Sequence, residues 1–381
     1  MKIYFVTGEP SGDLLASSLM KVLKERNSGV EFYGVGGETM KPYGLNSLFS
    51  MAELTVMGFF EVFPRLPLIL KRIKQTVADI ERVNPDILIT VDSWGFVSAL
   101  LSRLKKKNIN VPKLHYVAPQ VWAWKKGRAK NVAKLADRLM TLLPYEPEYF
   151  EKYGLKCDFV GHPVVENRIE EIDAGDFRIR YGIPADASVL SVLPGSRSSE
   201  IKRLIPVFRE AIRMISTKVE NLFVVIPTVE TVAGEIGKAF KNSDIPCRIV
   251  TGRNERYAAF KQSIAAIAAS GTVSLELASC KTPHLIAYKF NPLTNFLADI
   301  LVNVKYANLI NILSDREIIP EFTLYKCRAN LIADKALELM DSNAAKLMIR
   351  DMDEGLQKLR LPNMLPSEKA AEIVMEMIGK R

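Results

Sequence analysis

Short apolar runs alternate with segments of helical periodicity along the first half of the chain. The apolar runs predict strands at residues 2–6, 30–35, 87–91, 113–117, 138–142 and 157–160. Apolar positions that recur every three or four residues predict helices at residues 14–26, 66–83, 97–106 and 145–153. Strands without a polar face are typical of a parallel sheet that helices cover on both sides.

The pattern lapses at residues 161–176, which we interpret as a link, and then starts again. Further strands are predicted at residues 189–193, 222–226, 248–250, 264–269 and 284–287. Further helices are predicted at residues 204–218, 232–241, 255–262, 329–340, 344–358 and 366–379. We therefore predict an α/β protein with two tandem Rossmann-like, doubly wound domains facing a central cleft, where the carboxyl ends of the strands place their binding loops.

Composition agrees with two globular domains. The chain has 381 residues, 48% of them hydrophobic and 25% charged, and its net charge of +9 favours anionic partners. Its four cysteines are far apart and its three histidines are isolated, which argues against disulfides and zinc and favours a reducing compartment. There is no signal-peptide pattern and no apolar run near the roughly 20 residues of a membrane span. We expect a cytoplasmic protein for which attachment to a membrane surface remains open.

Two loops in the second half have the features of a phosphate site. Residues 193–197, Leu-Pro-Gly-Ser-Arg, follow a predicted strand and offer backbone N–H groups, the Ser196 hydroxyl and the planar guanidinium of Arg197. Residues 270–276 open a helix with small residues, so that the helix start can face a pyrophosphate and Glu276 can hold ribose hydroxyls. The alternatives are a plain turn at 193–197 and, for Glu276, a carboxylate that complements the helix dipole.

Acidic residues follow two strands of the first half. Asp92 comes directly after residues 87–91, where a carboxylate can act as general base for an incoming hydroxyl. The alternative is a cap for the helix that begins near Gly95. Residues 8–13, Gly-Glu-Pro-Ser-Gly-Asp, follow the first strand, and there Ser11 or Asp13 either serves ligand binding or caps the next helix.

The first half also contains two aromatic or apolar features. Trp122 and Trp124 follow a strand and either pack against sugar rings and acyl chains or fill the core. Residues 59–74 mix apolar side chains with Lys and Arg, which favours either contact with an anionic bilayer or a helix with a solvated basic face. The residues expected to contact a membrane are Phe63, Arg65, Leu66, Leu68, Ile69, Leu70, Lys71 and Arg72.

Together these segments resemble those of the lipid-A-disaccharide synthase family. Its members are bacterial glycosyltransferases of the two-domain GT-B type. The resemblance covers nearly the whole chain and rests on motifs at residues 8–13, 58–62, 119–124, 159–163, 193–197 and 270–276. It implies an acceptor-binding, membrane-facing domain at 1–165, joined by helices in 360–381, and a UDP-sugar-binding domain at 166–359. Where the family often continues the acid with an Ala-Pro-Asp-Phe-like segment, residues 93–96 here are Ser-Trp-Gly-Phe, so the acceptor pocket is expected to differ.

The resemblance also implies a reaction. UDP-2,3-diacylglucosamine and 2,3-diacylglucosamine 1-phosphate would give a β-1,6-linked disaccharide 1-phosphate and UDP, by inversion and without a metal or cofactor. Asp92 would activate the acceptor hydroxyl, with Glu9 and Asp13 as further catalytic residues on the acceptor side. The UDP contacts expected in the second domain are Ser196, Arg197, Gly271, Thr272, Glu276 and Asn311.

The partners expected from this reading are the two substrates and the anionic cytoplasmic face of the inner membrane. A homodimer is left open, and nucleic acid is not expected. Two competing functions remain. A UDP-N-acetylglucosamine 2-epimerase resembles the same architecture but acts on a soluble sugar and forms no disaccharide. A peripheral membrane module that senses a nucleotide-sugar would bind it without turnover.

Overall fold

The computed structural model describes residues 1–54, 59–122, 127–269, 271–289 and 305–379, and at 59–64 and 272 it describes the backbone path alone. Contacts divide the chain into two compact units. The first unit comprises Met1–Glu166 together with Leu359–Arg381, and the second comprises Asn167–Lys358. Each unit has its own parallel sheet.

The first unit has a sheet of six strands in the described residues. These are β1 (Lys2–Thr7), β2 (Glu31–Val35), β3 (Ile87–Val91), β4 (Lys113–Tyr116), β5 (Arg138–Thr141) and β6 (Lys156–Phe159). They pair in parallel in the order β2-β1-β3-β4-β5-β6. The order reverses between β1 and β3, so the loops after these two strands flank the point where ligands bind in such sheets.

Helices cover both faces of this sheet. They are α1 (Pro10–Arg26), α2 (Phe59–Val83), α3 (Trp94–Lys106), α4 (Arg128–Leu135) and α5 (Pro147–Glu151). Along β1, Tyr4 and Val6 belong to one apolar cluster, whereas Ile3 and Phe5 belong to another. Because successive side chains of a strand point to opposite faces, this alternation accounts for the unbroken apolar run at residues 3–6 of β1.

The second unit also has six strands among the described residues. These are β7 (Ser188–Leu193), β8 (Leu222–Thr228), β9 (Cys247–Thr251), β10 (Ala265–Ala268), β11 (His284–Tyr288) and β12 (Glu321–Thr323). The parallel order is β12-β11-β10-β7-β8-β9. Here the order reverses between β7 and β10, which places the loops after β7 and β10 on either side of the switch point.

Eight helices are described in the second unit. These are α6 (Phe177–Tyr181), α7 (Ser198–Ser216), α8 (Glu230–Phe240), α9 (Arg253–Gln262), α10 (Thr272–Ser279), α11 (Leu309–Ser314), α12 (Ala329–Leu339) and α13 (Ser342–Gln357). All seven residues of β8 are buried, as a central strand covered on both sides requires.

A last helix, α14 (Pro366–Gly379), belongs to the first unit. Its Ala371 and Val374 are fully buried in the same apolar cluster as Met20 of α1. The nearly buried guanidinium of Arg138 on β5 adds an electrostatic contact, since it lies 2.7 Å from Glu376 of α14 and 2.6 Å from Asp158 of β6. A buried cation is tolerated here because both of its carboxylate partners are within hydrogen-bonding distance.

The predicted α/β class and the two parallel sheets are confirmed. Several elements differ from the prediction. The helix α1 begins at Pro10, since a proline in the first turn needs no N–H partner, and α2 begins at Phe59 instead of residue 66. The short strand β12 was missed, because Pro320 interrupts the apolar signal before it. Among the described residues, no helix is both long and apolar enough to span a membrane.

Candidate active site

A cavity of about 560 Å³ lies at the carboxyl edge of the second sheet. Its walls come from the loop after β7, the ends of β8 and β11, and the start of α10. The lining residues are Leu193, Gly195, Ser196, Arg197, Glu200, Pro227, Thr228, Val229, Arg256, Ala269, Gly271, Val273, Glu276 and Tyr288. The cavity therefore lies at the switch point, and it unites both loops for which the sequence predicts phosphate binding.

The loop at residues 193–197 is shaped by Gly195, whose φ of +109° is a glycine conformation. A Cβ added there would lie 2.5 Å from an oxygen of Glu200. Arg197 is the N-cap residue of α7, and its side chain is 54% exposed and 3.6 Å from Glu200. The guanidinium is thus only loosely held and can reorient toward an anion in the cavity.

Glu200 is a cavity residue that sequence reasoning missed. Its Oε2 accepts a hydrogen bond from the Ser196 backbone N–H at 3.2 Å, and its Oε1 accepts one from the Tyr288 hydroxyl at 3.1 Å. Glu200 is the third residue of α7, which is the position where a carboxylate commonly folds back on the chain before a helix. The position of this glutamate, three residues after the N-cap residue Arg197, was the sequence signal that could have predicted its contact with the loop.

On the opposite side of the cavity, Gly271 precedes α10 with φ +117° and ψ −150°, a region open almost only to glycine. The α10 helix starts at Thr272, so its unpaired N–H groups belong to this end of the helix. The side chain of Thr272 and the whole of Ser270 lie outside the described residues.

Glu276 lies on α10 with a side chain that is only 16% exposed, and it pairs with Arg256 of α9 at 3.0 Å. Burial raises the pKa of this carboxyl, while Arg256 acts in the opposite direction. Two buried polar atoms of the cavity wall, Thr228 Oγ1 and Arg256 Nε, have no hydrogen-bond partner in the described part of the protein. Buried polar groups normally have partners, so these two atoms favour a polar ligand.

Asn311 is not among the cavity residues. It is fully buried, and its amide oxygen accepts from the backbone N–H groups of Ile318 and Ile319 at 2.8 and 2.9 Å. Its amide nitrogen donates to the Ile319 carbonyl at 2.7 Å and to Glu321 at 2.8 Å. Because all four hydrogen-bonding positions of the amide are used, Asn311 holds the turn before β12. The expected contact with UDP has no support in this placement.

In the first unit, Asp92 follows β3 with φ +51°, and it is half-buried. Its Oδ1 accepts from the Ser93 N–H at 2.7 Å. Burial raises the pKa of this carboxyl, and the bond from Ser93 partly opposes the rise. Ser93, not Asp92, is the N-cap residue of α3, and it makes no side-chain cap bond. The alternative role of Asp92 as a helix cap is therefore wrong.

The loops after β1 and β3 approach each other closely. A Cβ added at Gly8 would lie 2.6 Å from Ser93 Oγ, so only glycine fits there without a shift. Glu9, the N-cap residue of α1, and Asp92 are thus held on adjacent loops at the switch point of the first sheet. The fold therefore brings Glu9 and Asp92, two of the residues predicted for the acceptor side, onto neighbouring loops.

Asp13 has a different role. It is 3% exposed, and its carboxylate accepts from the N–H groups of Gly37 (2.6 Å) and Thr39 (2.9 Å) and from the Thr39 hydroxyl (2.7 Å). These three bonds hold the loop after β2 and occupy three of the roughly four acceptor positions of the carboxylate. Both alternatives for Ser11 and Asp13 as helix caps are wrong, because α1 begins earlier, at Pro10.

Glu146, which is not among the site residues predicted from the sequence, lies after β5 with 4% exposure. It accepts from the N–H groups of Leu142 and Leu143 at 3.2 and 3.1 Å and from Trp122 Nε1 at 3.4 Å. Burial raises the pKa of Glu146 to about 7. The Trp122 ring also meets Tyr145 edge-on at 5.7 Å, so this indole is oriented by two neighbours; Trp124 lies outside the described residues.

The residues expected to contact a membrane divide between two faces of α2. Leu66 and Leu70 are 44% and 48% exposed, and Arg65 and Lys71 are exposed as well. Leu68 is partly exposed, and the Phe63 side chain lies outside the described residues.

Two members of the predicted set face the protein. Ile69 packs against the core, and Arg72 forms an ion pair with Glu53 at 2.7 Å while it stacks over the Phe49 ring. The expected outward role of Ile69 and Arg72 is therefore corrected, because these contacts attach α2 to the first unit.

Nearly the whole chain is similar to known proteins in sequence. The sequence profile of the lipid-A-disaccharide synthetase family matches residues 3–374. A lipid-A-disaccharide synthase of Paramagnetospirillum magneticum is 47% identical over 382 residues, which covers 99% of this chain and 98% of the relative. The corresponding protein of Rhodospirillum centenum is 42% identical and covers 100% and 95% of the two chains.

Among solved structures, the MnaA protein of S. aureus with UDP aligns with a TM-score of 0.69 at 14% identity, over 99% of this chain and 97% of the other. A glycosyltransferase of Rickettsia africae aligns with a TM-score of 0.60 at 14% identity, over 100% and 99%. At such identities the likeness concerns the fold, which is that of the two-domain GT-B proteins.

Proposed function

This chain belongs to the lipid-A-disaccharide synthetase family, and on that premise we propose how its residues carry out the reaction. Family membership makes it a glycosyltransferase of lipid A disaccharide synthesis that takes a nucleotide-sugar donor and a sugar-phosphate acceptor. The proposed donor is UDP-2,3-diacylglucosamine, and the proposed acceptor is 2,3-diacylglucosamine 1-phosphate. Structures of UDP-N-acetylglucosamine 2-epimerases from Listeria monocytogenes and Neisseria meningitidis also align with this chain, with TM-scores of 0.68 and 0.64 at 12% identity. At that identity the likeness is one of fold and supports no second function.

The UDP group occupies the cavity of the second unit. The observation that carries this assignment is a cavity walled by two glycine loops, in which Thr228 and Arg256 hold buried polar atoms without a partner among the described residues. Ser196, Arg197 and the start of α10 hold the diphosphate, since backbone N–H groups and a guanidinium suit that anion. Glu276 accepts hydrogen bonds from the ribose hydroxyls.

Asp92 is the general base. Its raised pKa makes the carboxylate a stronger base than an ordinary exposed aspartate, while the bond from Ser93 fixes its orientation. Asp92 removes the proton from the acceptor hydroxyl as that oxygen attacks the anomeric carbon. The bond from this carbon to the diphosphate oxygen breaks on the opposite side, so an α-linked donor gives a β-linked product. Arg197 and the α10 start stabilise the negative charge that develops on the leaving UDP.

The outer face of α2 rests on the anionic cytoplasmic surface of the inner membrane. Support comes from Leu66 and Leu70, which are about half exposed, and from Arg65 and Lys71 beside them. Apolar side chains enter the headgroup boundary while cations attract anionic lipids, which suits substrates that carry acyl chains. A homodimer remains a prediction that light scattering of the purified protein would test.

The decisive experiment supplies purified protein with both acylated substrates in detergent micelles. We expect stoichiometric release of UDP and formation of a tetraacyl disaccharide 1-phosphate, identified by mass spectrometry. Reactions that lack the acceptor serve as the control for donor hydrolysis. Absence of the disaccharide under conditions where UDP binds would refute the proposed reaction.

A further inference from the structure

Glu200 places a carboxylate inside the cavity that is proposed to hold a diphosphate. Its side chain is 12% exposed and lines the cavity wall. The two anion-binding groups of the adjacent loop are already directed to it, since the Ser196 N–H donates to Oε2 at 3.2 Å and the Arg197 guanidinium lies 3.6 Å from Oε1. A negative charge of the protein thus occupies donors that suit a phosphate.

The surrounding residues are shaped for this carboxylate. At Gly195 a Cβ would approach Oε2 to 2.5 Å and the Glu200 Cβ to 2.9 Å, so the loop follows its path only with glycine. From the other side, the Tyr288 hydroxyl at the end of β11 donates to Oε1 at 3.1 Å. The two carboxylate oxygens are thus held by different elements, the loop after β7 and the end of β11, which fixes the position of the carboxylate in the cavity.

We propose that Glu200 is an internal competitor of the donor diphosphate, which limits the affinity for UDP and speeds its release. This inference rests on the proposed function, because it requires that the cavity bind UDP. When the nucleotide enters, Ser196 and Arg197 turn from Glu200 to the phosphate oxygens. When UDP leaves, the carboxylate takes the same donors back, and the like charge close to the diphosphate lowers the barrier to departure.

The test compares UDP binding to the wild-type protein and to Glu200→Gln. The amide keeps the size of the side chain and can still accept from Ser196, but it carries no charge. We expect UDP to bind about tenfold more tightly to this variant and to dissociate correspondingly more slowly, since one nearby like charge is removed. Calorimetry gives the affinity, and a stopped-flow chase of a fluorescent UDP analogue gives the dissociation rate.

The matched control is Glu210→Gln, on the same helix and about 15 Å away by the helical rise. Glu210 is half-exposed and paired with Arg213 at 2.7 Å, so its loss changes the net charge equally and leaves the cavity intact. We expect no change in the affinity for UDP. Equal tightening in both glutamine variants would overturn the proposal, because the effect would then come from net charge.

A second variant keeps the test independent of how well Glu200→Gln folds. Tyr288→Phe removes the hydroxyl that holds Oε1 and leaves the charge in place, so UDP should bind about threefold more tightly through a weakened competitor. Unchanged or weaker UDP binding in Glu200→Gln, with its melting temperature preserved, would refute the role of Glu200. If wild-type protein bound no UDP, the proposed function itself would fail, which is a distinct result.

Discussion

Arg256 and Glu276 face each other at 3.0 Å in the wall of the cavity, and both side chains are largely buried. The pair leaves Arg256 Nε without a partner in the described residues. A buried ion pair of this kind contributes little net stability, because the cost of removing both charges from water offsets their attraction. Its position in the cavity wall is better explained by ligand binding.

Replacement of Glu276 by alanine should abolish discrimination between UDP and 2′-deoxy-UDP. The carboxylate is proposed to accept from ribose hydroxyls, and a hydrogen bond to a charged group is worth about tenfold or more in affinity. The wild-type protein should prefer UDP by about that factor. The measurement is the ratio of the affinities for UDP and 2′-deoxy-UDP. A substitution that weakens the binding of both nucleotides equally leaves this ratio unchanged. A preference retained in Glu276→Ala would contradict the ribose contact.

Asp92→Asn should lower kcat by roughly 10²- to 10⁴-fold, which is the usual contribution of a general base. The affinity for UDP should stay unchanged, because Asp92 belongs to the first unit and the cavity to the second. Glu81→Gln is the control. Glu81 lies near the end of α2, before the start of β3, whereas Asp92 follows the other end of that strand. Full turnover in Asp92→Asn would show that another group removes the proton.

The pH dependence should report the same residue. A general base acts in its ionised form, so kcat/KM should rise with pH through the pKa of Asp92 and then level off. Because burial raises that pKa, the rise should be centred above the usual range for an aspartate. A pH profile measured with saturating donor, in Asp92→Glu as well as wild type, checks this expectation.

Arg197→Ala should weaken UDP binding by about 10- to 100-fold, because charge-assisted hydrogen bonds to the diphosphate are lost. The affinity for uridine, which has no phosphate, should change much less. Arg213→Ala on the same helix removes an equal charge far from the cavity and serves as the control. Parallel losses for UDP and uridine would instead indicate that the loop had collapsed.

Glu146 should make stability depend on pH. Its pKa is raised from 4.5 to about 7, so between these values the folded protein holds a proton that the unfolded chain has released. The free energy of unfolding should therefore fall as pH rises through this window, by up to about 3 kcal/mol. Glu146→Gln should remove that slope, whereas exposed Glu148→Gln should not. Melting curves of all three proteins from pH 4 to 8 give the comparison.

The outer face of α2 should govern binding to vesicles that contain anionic lipid. Leu66→Ser with Leu70→Ser removes two large exposed side chains and should reduce co-sedimentation by about tenfold or more. The matched control is Leu347→Ser in α13, which is 54% exposed on the second unit. Disaccharide synthesis in detergent should be unaffected by the double substitution, and equal vesicle binding by all three proteins would argue against this surface.

Much of the fold could be predicted from the sequence because parallel strands are marked by local signals. The apolar run of β3 and the small-residue turns after β7 and β10 depend on a few neighbouring residues. The short strand β12 could not be predicted, because its three residues lie at the sheet edge and carry no apolar run of their own.

The candidate site was less predictable, since a residue's type does not reveal its partners. Asn311 and Asp13 have the polar groups of ligand-binding residues, yet most of their hydrogen bonds are made with backbone groups of neighbouring loops. Each also bonds one side chain of the protein, Glu321 for Asn311 and Thr39 for Asp13. Glu200 and Glu146 resemble ordinary helix-flanking acids in the sequence. Their burial follows from contacts with Tyr288 and Trp122, 88 and 24 positions away.

The ion pair that ties α14 to β5 and β6 has a consequence for the order in which the chain folds. The second unit is continuous, so a ribosome can deliver it whole, and it can fold as it emerges. The first unit is synthesised earlier but lacks Ala371, Val374 and Glu376 until residues 359–379 have followed. Until then α1 covers only part of one apolar face of its sheet. The unit whose synthesis begins first is therefore the one whose core is completed last.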